Sequence, residues 1–141
     1  MSPRVGPTHD VAACRALRRT VFIEEQGVPE TVERDGRDGQ AQHVLATMQG
    51  RPIGCARILT DSDTGRIGRV CVLPGHRGRG IGAALVRACV EHLRGLPGIV
   101  RAELGAQTNA LGLYERLGFV AFGPEFEDAG GQPHRMMGID L

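Results

Sequence analysis

The chain has 141 residues, 17 basic and 16 acidic side chains, 41% hydrophobic residues and no tryptophan. That length fits one domain, and we expect 1–141 to fold as a single unit burying about two thirds of its unfolded surface. A net charge of +1 excludes a basic nucleic-acid stripe, and no apolar run reaches the roughly 20 residues of a membrane span, so a soluble chain is expected. Cys14, Cys55, Cys71 and Cys89 lack C-x-x-C spacing and a leader segment, which suits buried thiols in a reducing cytoplasm.

Arg4 to Pro7 reads as a short edge strand, the position in which a strand tolerates proline. Thr8 or Asp10 can cap a following helix in which Cys14, Leu17 and Val21 share a face while Arg15, Arg18 and Arg19 lie on others. Gly27, in a left-handed cap, and Pro29 end it. From Glu24 to Asp38 six carboxylates stand against two arginines, the composition of a solvated loop or of a loop beside a substrate pocket.

His43 to Met48 and Pro52 to Leu59 read as a hairpin joined by a tight turn at Gly50-Arg51. A second turn, Thr60 to Gly65, leads into Ile67 to Leu73, a β-branched run closed by Pro74-Gly75 and expected as a buried strand. From Ile81 the period changes. Ile81, Leu85, Cys89 and Leu93 recur every four residues, which predicts a helix over 80–94. The strand at Val100 to Ala106 should then lie parallel to Ile67 to Leu73 through a right-handed crossover. Asn109 caps a short helix to Leu117, Gly118 ends it, Phe119 to Phe122 begins a strand, Glu125 to Pro133 forms a polar loop, and His134 to Leu141 closes the chain as a last strand. The plan is α/β in composition, of the α+β kind: a mixed central sheet of six or seven strands flanked by about four helices.

Between the buried strand and the long helix lies Arg77-Gly-Arg-Gly-Ile-Gly82. Three glycines in a helix-opening connection are costly unless bare main-chain amides are needed there. A glycine loop at a helix N-terminus gathers N–H groups and the positive end of the helix dipole, which together bind phosphate. The spacing of Gly78, Gly80 and Gly82 is not the G-x-G-x-x-G of a dinucleotide site, and the loop lacks the Gly-Lys-Ser/Thr of a P-loop.

What remains, Arg-x-x-Gly-x-Gly after a strand, resembles the acetyl-CoA loop of the GCN5-related N-acetyltransferase (GNAT) superfamily. A second block, Asn109-Ala-Leu-Gly-Leu-Tyr-Glu-Arg-Leu-Gly-Phe119, is similar to the segment of that superfamily in which an asparagine, a short helix and a tyrosine precede Leu-Gly-Phe. Phe22-Ile-Glu-Glu-Gln-Gly-Val-Pro29 with Asp35, Asp38 and His43, and the ending Pro133-His-Arg-Met-Met137, resemble the ElaA-like and glyphosate N-acetyltransferase-like branch.

The resemblance implies an acetyl-CoA-dependent N-acetyltransferase with the GNAT fold and no metal, acting on a small-molecule or peptide amine by direct transfer in a ternary complex, as a monomer or homodimer. It implies that main-chain groups of Cys71, Val72 and Leu73 meet the thioester and pantetheine, and that Arg77, Gly78, Arg79, Gly80, Ile81, Gly82 and Ala83 hold the diphosphate. Asn109 and Tyr114 would complete the cofactor site. Tyr114 would protonate the leaving thiolate, and its other reading is an aromatic packed on the sheet. His134 would accept the amine proton, and its other reading is a histidine bonded to the neighbouring loop. Glu127, Glu25 and His43 are reserve bases, and Glu25, Arg69 and Glu127 are candidate acceptor-binding residues. Arg69, in an otherwise apolar strand, needs a partner: an acid of the Glu24 to Asp38 loop or a substrate carboxylate. The competing expectation is a CoA-binding sensor domain that has lost catalysis.

Overall fold

The computed structural model describes residues 2–128 and 131–141. Seven strands form one sheet in the order β1-β2-β3-β4-β5-β7-β6. They are β1 (Arg4–Thr8), β2 (Gln42–Met48), β3 (Arg51–Asp61), β4 (Thr64–Val72), β5 (Arg101–Gln107), β6 (Val120–Glu127) and β7 (Pro133–Asp140). Among the described residues four α-helices accompany them: α1 (Val11–Arg18), α2 (Glu30–Glu33), α3 (Ile81–Arg94) and α4 (Leu111–Glu115).

The first four strands make an antiparallel meander. Its first tight turn is Gln49-Gly50, both at positive φ, so the expected turn lies one residue earlier than Gly50-Arg51. Two residues at φ > 0 give the turn whose twist matches the flanking strands. Pro52 is tolerated in β3 because the ladder to β2 is irregular there, Ala46 facing Gly54 and Thr47 facing Pro52. β4 and β5 are parallel, as the crossover through α3 requires.

The helices cover opposite faces of this meander. α3 packs Ile81, Leu85, Val86, Cys89, Val90 and Leu93 onto Val44, Ala46, Ala56, Ile58 and Ile67. Approach is closest at Gly65, where a Cβ would stand 2.4 Å from Leu93 Cδ2. On the other face Cys14, Leu17 and Val21 pack against Cys55 and Cys71. Asp10 caps α1 by accepting a hydrogen bond from the Ala13 N–H at 3.1 Å. The helix continues as a π-helical segment, Arg19–Glu25, and Gly27 at φ +72° follows it. That segment widens the turn just where the acidic stretch begins.

Several boundaries differ from expectation. Asn109 caps nothing: it lies within a 3₁₀ turn, Thr108–Ala110, and α4 begins at Leu111 without a side-chain cap. β6 extends through Glu127, so the expected polar loop at Glu125 to Pro133 is strand at its start, while its residues 129 and 130 lie outside the described residues.

Candidate active site

The sheet forks at Ile67. β5 pairs with β4 only from Thr64↔Arg101 to Ile67↔Leu104. Beyond that point β4 stays with β3 as far as Gly54↔Val72, while β5 continues along β7 to Gln107↔His134. A cleft therefore opens between the C-terminal halves of β4 and β5. A bulge marks the fork: Cys55 faces Cys71 and Arg57 faces Gly68, so Ala56 alone opposes both Arg69 and Val70. Arg69 has φ +50°, rare for a residue with a side chain. Bulges of this kind bend a strand and re-aim a side chain.

Pairing decides which main-chain groups the cleft receives. The Leu73 N–H donates to the Ile53 carbonyl at 2.8 Å, and alternation along the ladder turns Cys71 toward β3 as well. Of the three residues expected to offer amides, only Val72 presents its N–H and C=O to the cleft. The Leu73 amide is committed to β3, and the side chains of Cys71 and Leu73 join the α1-side core.

Arg77 and Glu25 are already paired. The Arg77 guanidinium donates to both Glu25 carboxylate oxygens, at 2.6 and 2.7 Å, and its Nε donates to the Val72 carbonyl at 2.9 Å. The hydrogen bonds from Arg77 hold the Glu25 carboxyl below its ordinary pKa range. A residue expected on the diphosphate and one expected on the acceptor thus meet each other across the end of β4.

The glycine loop has the backbone its composition foretells. Gly78 and Gly80 both have φ +78°, and Gly80 sits at the N-cap of α3 with no side-chain bond to the helix end. The first amides of this 14-residue helix, those of Ile81, Gly82 and Ala83, lie ahead of the Ala84 N–H that bonds the Gly80 carbonyl at 3.0 Å. They are the orphan donors of a helix N-terminus. A Cβ at Gly78, Gly80 or Gly82 would meet nothing within 4 Å, so positions 78 and 80 need glycine for the left-handed backbone rather than for space. Arg79 is exposed beside them.

Tyr114, Asn109, His134 and Glu127 belong to the other side of the cleft, around the C-terminal end of β5. Tyr114 on α4 is half-buried, its ring edge-on to Phe119 with centroids 6.3 Å apart, and burial pushes its hydroxyl pKa up. Asn109 is exposed in the 3₁₀ turn that leaves β5. His134 opposes Gln107 on β5 and Phe126 on β6. Its Nδ1–H donates to the Gln132 carbonyl at 2.8 Å, and its Nε2 stands 3.5 Å from Asp128 Oδ2. A carbonyl only accepts, so the hydrogen sits on Nδ1 and the lone pair on Nε2. A proton taken up at Nε2 would face the Asp128 carboxylate. Glu127, exposed at the end of β6, opposes Pro133.

The acidic stretch is exposed along most of its length, as a solvated loop would be, but Glu33 and Asp38 are buried in a charged network. Arg18, 1% exposed, donates to Asp38 at 2.9 and 2.6 Å and through Nε to Glu33. Arg57 on β3 donates to Asp35 at 2.9 and 2.7 Å and to Asp38 at 3.2 Å, and Arg15 adds a bond to Asp38 at 2.9 Å. Hydrogen bonds from Arg57 draw the Asp35 carboxyl down to about 2. Burial works to raise that of Asp38, but Arg18 and Arg15 hold it well below the ordinary range. His43 is buried here, its Nε2–H donating to the Asp38 carbonyl at 3.1 Å. Arg69 reaches the rim of the cluster, donating to the Val32 and Glu33 carbonyls at 3.3 and 3.4 Å and to Asp35 at 3.4 Å. An acid of the loop is thus its partner in this structure. No sequence signal beyond the count of opposite charges announced the network.

Among the described residues, no group of three or more His, Cys, Asp or Glu side chains is arranged to hold a metal ion. No helix among them is long and apolar enough to cross a membrane.

A forked sheet with a glycine-opened helix beneath the fork defines a class of acyl-transferring domain. Residues 8–138 match the family of the acetyltransferase (GNAT) domain, and the chain belongs to that family. A Bacillus subtilis protein provisionally named an acetyltransferase is 36% identical over 137 residues, covering 95% of this chain and 92% of its own. ElaA of Escherichia coli superposes with a TM-score of 0.83 at 28% identity over 98% of both chains. A GNAT family acetyltransferase from Elizabethkingia anophelis with acetyl-CoA bound shares the fold, with a TM-score of 0.76 at 16% identity over 99% of this chain and 98% of that one. The protein is therefore an acyltransferase whose general chemistry is acetyl transfer.

Proposed function

We propose that the chain, as one domain over 1–141 in the cytoplasm, moves the acetyl group of acetyl-CoA directly onto the amine of a small molecule while both are bound. The observation that carries this reading is the fork. Val72 turns its N–H and C=O into a cleft between the C-terminal halves of β4 and β5, with the glycine loop of α3 following β4 and Tyr114 and His134 placed around the end of β5.

The reaction needs a held thioester, an amine with a free lone pair and a proton for the departing thiolate. The amides of Gly78 to Ala83 with Arg79 would hold the diphosphate, joined by Arg77 once it leaves Glu25. Val72 would pair with the pantetheine amides as an added strand would, after Arg77 Nε vacates its carbonyl. His134 Nε2 would take the proton as the amine attacks the thioester carbonyl, with Asp128 facing the imidazolium that forms. Collapse of the tetrahedral intermediate breaks the C–S bond, and the Tyr114 hydroxyl gives its proton to the sulfur. The raised pKa of Tyr114 keeps that proton in place at neutral pH. Asn109 would border the cofactor. Glu25, once free of Arg77, and Glu127 suit a cationic amine, and Arg69 suits a carboxylate on an amino-acid-like acceptor.

Calorimetry with acetyl-CoA followed by steady-state thiol release with a panel of amines tests the reading. Direct transfer gives intersecting double-reciprocal lines. Absence of acetyl-CoA uptake overturns the site, uptake without turnover leaves the binding-only reading, and parallel lines with an acetylated Cys71 replace direct transfer by a covalent route.

A further inference from the structure

We propose that Cys55 and Cys71 form an oxidisable dithiol, a modification site at which a peroxide closes a disulfide between β3 and β4 beside the cleft. The two residues face each other directly across the antiparallel ladder, with their sulfurs 3.6 Å apart. Alternation from the Leu73 N–H bond makes this a hydrogen-bonded pair, for which Cα atoms stand about 5.5 Å apart, inside the range that disulfides span. Cβ atoms in such a pair stand about 5.5 Å apart, so bringing the sulfurs to about 2.05 Å takes side-chain rotation together with a small approach of the two strands.

The setting is unusual for plain core packing. Three of the five residues in the α1-side core are cysteines, and Cys55 also directs its thiol to the Cys14 carbonyl at 3.7 Å. Hydrogen bonding with the Cys14 and Cys71 thiols, together with burial, pushes the Cys55 thiol up, so it enters the reaction as the thiol that gives its proton last. Cys71 adjoins Val72 on β4, and both thiols are buried, Cys71 at 4% and Cys55 at 1% exposure. Cys89 sits alone in α3, its thiol pushed up to about 12 by burial, and serves as the inert comparator.

The chemistry balances with hydrogen peroxide as the oxidant. Cys71 sulfur attacks one peroxide oxygen, the O–O bond breaks, and the departing hydroxide leaves as water with the Cys71 thiol proton. Cys55 sulfur then attacks the sulfenic sulfur of Cys71, the S–O bond breaks, and the second hydroxide leaves as water with the Cys55 proton. Two thiols lose two electrons and one peroxide gains them. Closing the bond draws the Cys71 segment toward β3 and shifts Val72, so acetyl-CoA uptake falls. That consequence rests on the function proposed above; the disulfide itself does not.

The test uses the full chain, reduced, exposed to a small excess of hydrogen peroxide, alkylated and digested without reductant. Expected are an intact mass lower by two hydrogens, a Cys55–Cys71 cross-linked peptide, alkylated Cys14 and Cys89, and reversal by dithiothreitol. In parallel, calorimetry should show acetyl-CoA affinity falling by about tenfold on oxidation and returning on reduction, since displacements near 1 Å at such sites are costly. Cys55→Ser should keep its acetyl-CoA uptake after the same treatment. Four alkylated thiols, a bridge through Cys14 or Cys89, or over-oxidised Cys71 without a bridge overturns the proposal, and these read on the wild-type chain whether or not the variant folds. A bridge that leaves uptake unchanged overturns its link to the cleft. Failure of the reduced chain to take up acetyl-CoA sinks the reading of the cleft while the mapped bridge stands.

Discussion

In the proposed reaction Tyr114 and His134 would divide the proton transfers, and each assignment has its own kinetic signature. Tyr114→Phe keeps the ring against Phe119 and removes only the hydroxyl, so kcat should fall about 100-fold with KM for acetyl-CoA little changed. His134→Gln should lower kcat/KM by a similar factor, read by initial rates at saturating acetyl-CoA. Both candidates come from short local motifs, and their roles belong to the proposed reaction. The buried network was not legible: Arg18 meets Asp38 across 20 residues and Arg57 meets Asp35 across 22, and no local pattern pairs residues so far apart. Of the three arginines set on other faces of the first helix, only Arg18 is buried, and nothing local to it marks the difference. Asp38→Ala should cost about 3 kcal/mol in a urea titration, because it leaves the buried Arg18 and Arg57 with only Glu33 and Asp35 to balance them.

At the level of elements, the long helix and its glycine loop announced themselves through a change of period and a cluster of residues with no side chain to pack. Gly80→Ala isolates the role of the backbone there. An added Cβ meets nothing within 4 Å, so the loss is the left-handed conformation alone, about 1 kcal/mol of stability, with weaker acetyl-CoA uptake. Gly65→Ala does the opposite, since its Cβ runs into Leu93. It should lower stability by about 1–3 kcal/mol in thermal melts and leave the loop's backbone as it is. Other features resisted the sequence for physical reasons. The π-helical stretch has no propensity signature, the bulge at Arg69 shows only in pairing, and the insertion of β7 between β5 and β6 is a long-range choice among strands of similar composition.

For the molecule as a whole, the charged network ties α1 and the acidic segment to the sheet with ion pairs where oil would otherwise serve. Two of its carboxylates, Asp35 and Asp38, have folded pKa values below their unfolded ones, so they bind fewer protons folded than unfolded. Their contribution is complete above the unfolded value near pH 4 and is lost as pH falls toward about 2, the value for Asp35. Urea midpoints measured from pH 7 down should hold steady to about pH 5 and then drop, and the drop should be smaller in Asp38→Asn.

One consequence belongs to the spectroscopist. The chain has a single tyrosine and no tryptophan, so its intrinsic emission comes from one fluorophore, the ring lodged against Phe119. Quenching of that signal by a thioester analogue would report occupancy of the cleft without any label, and its absence in Tyr114→Phe would supply the blank.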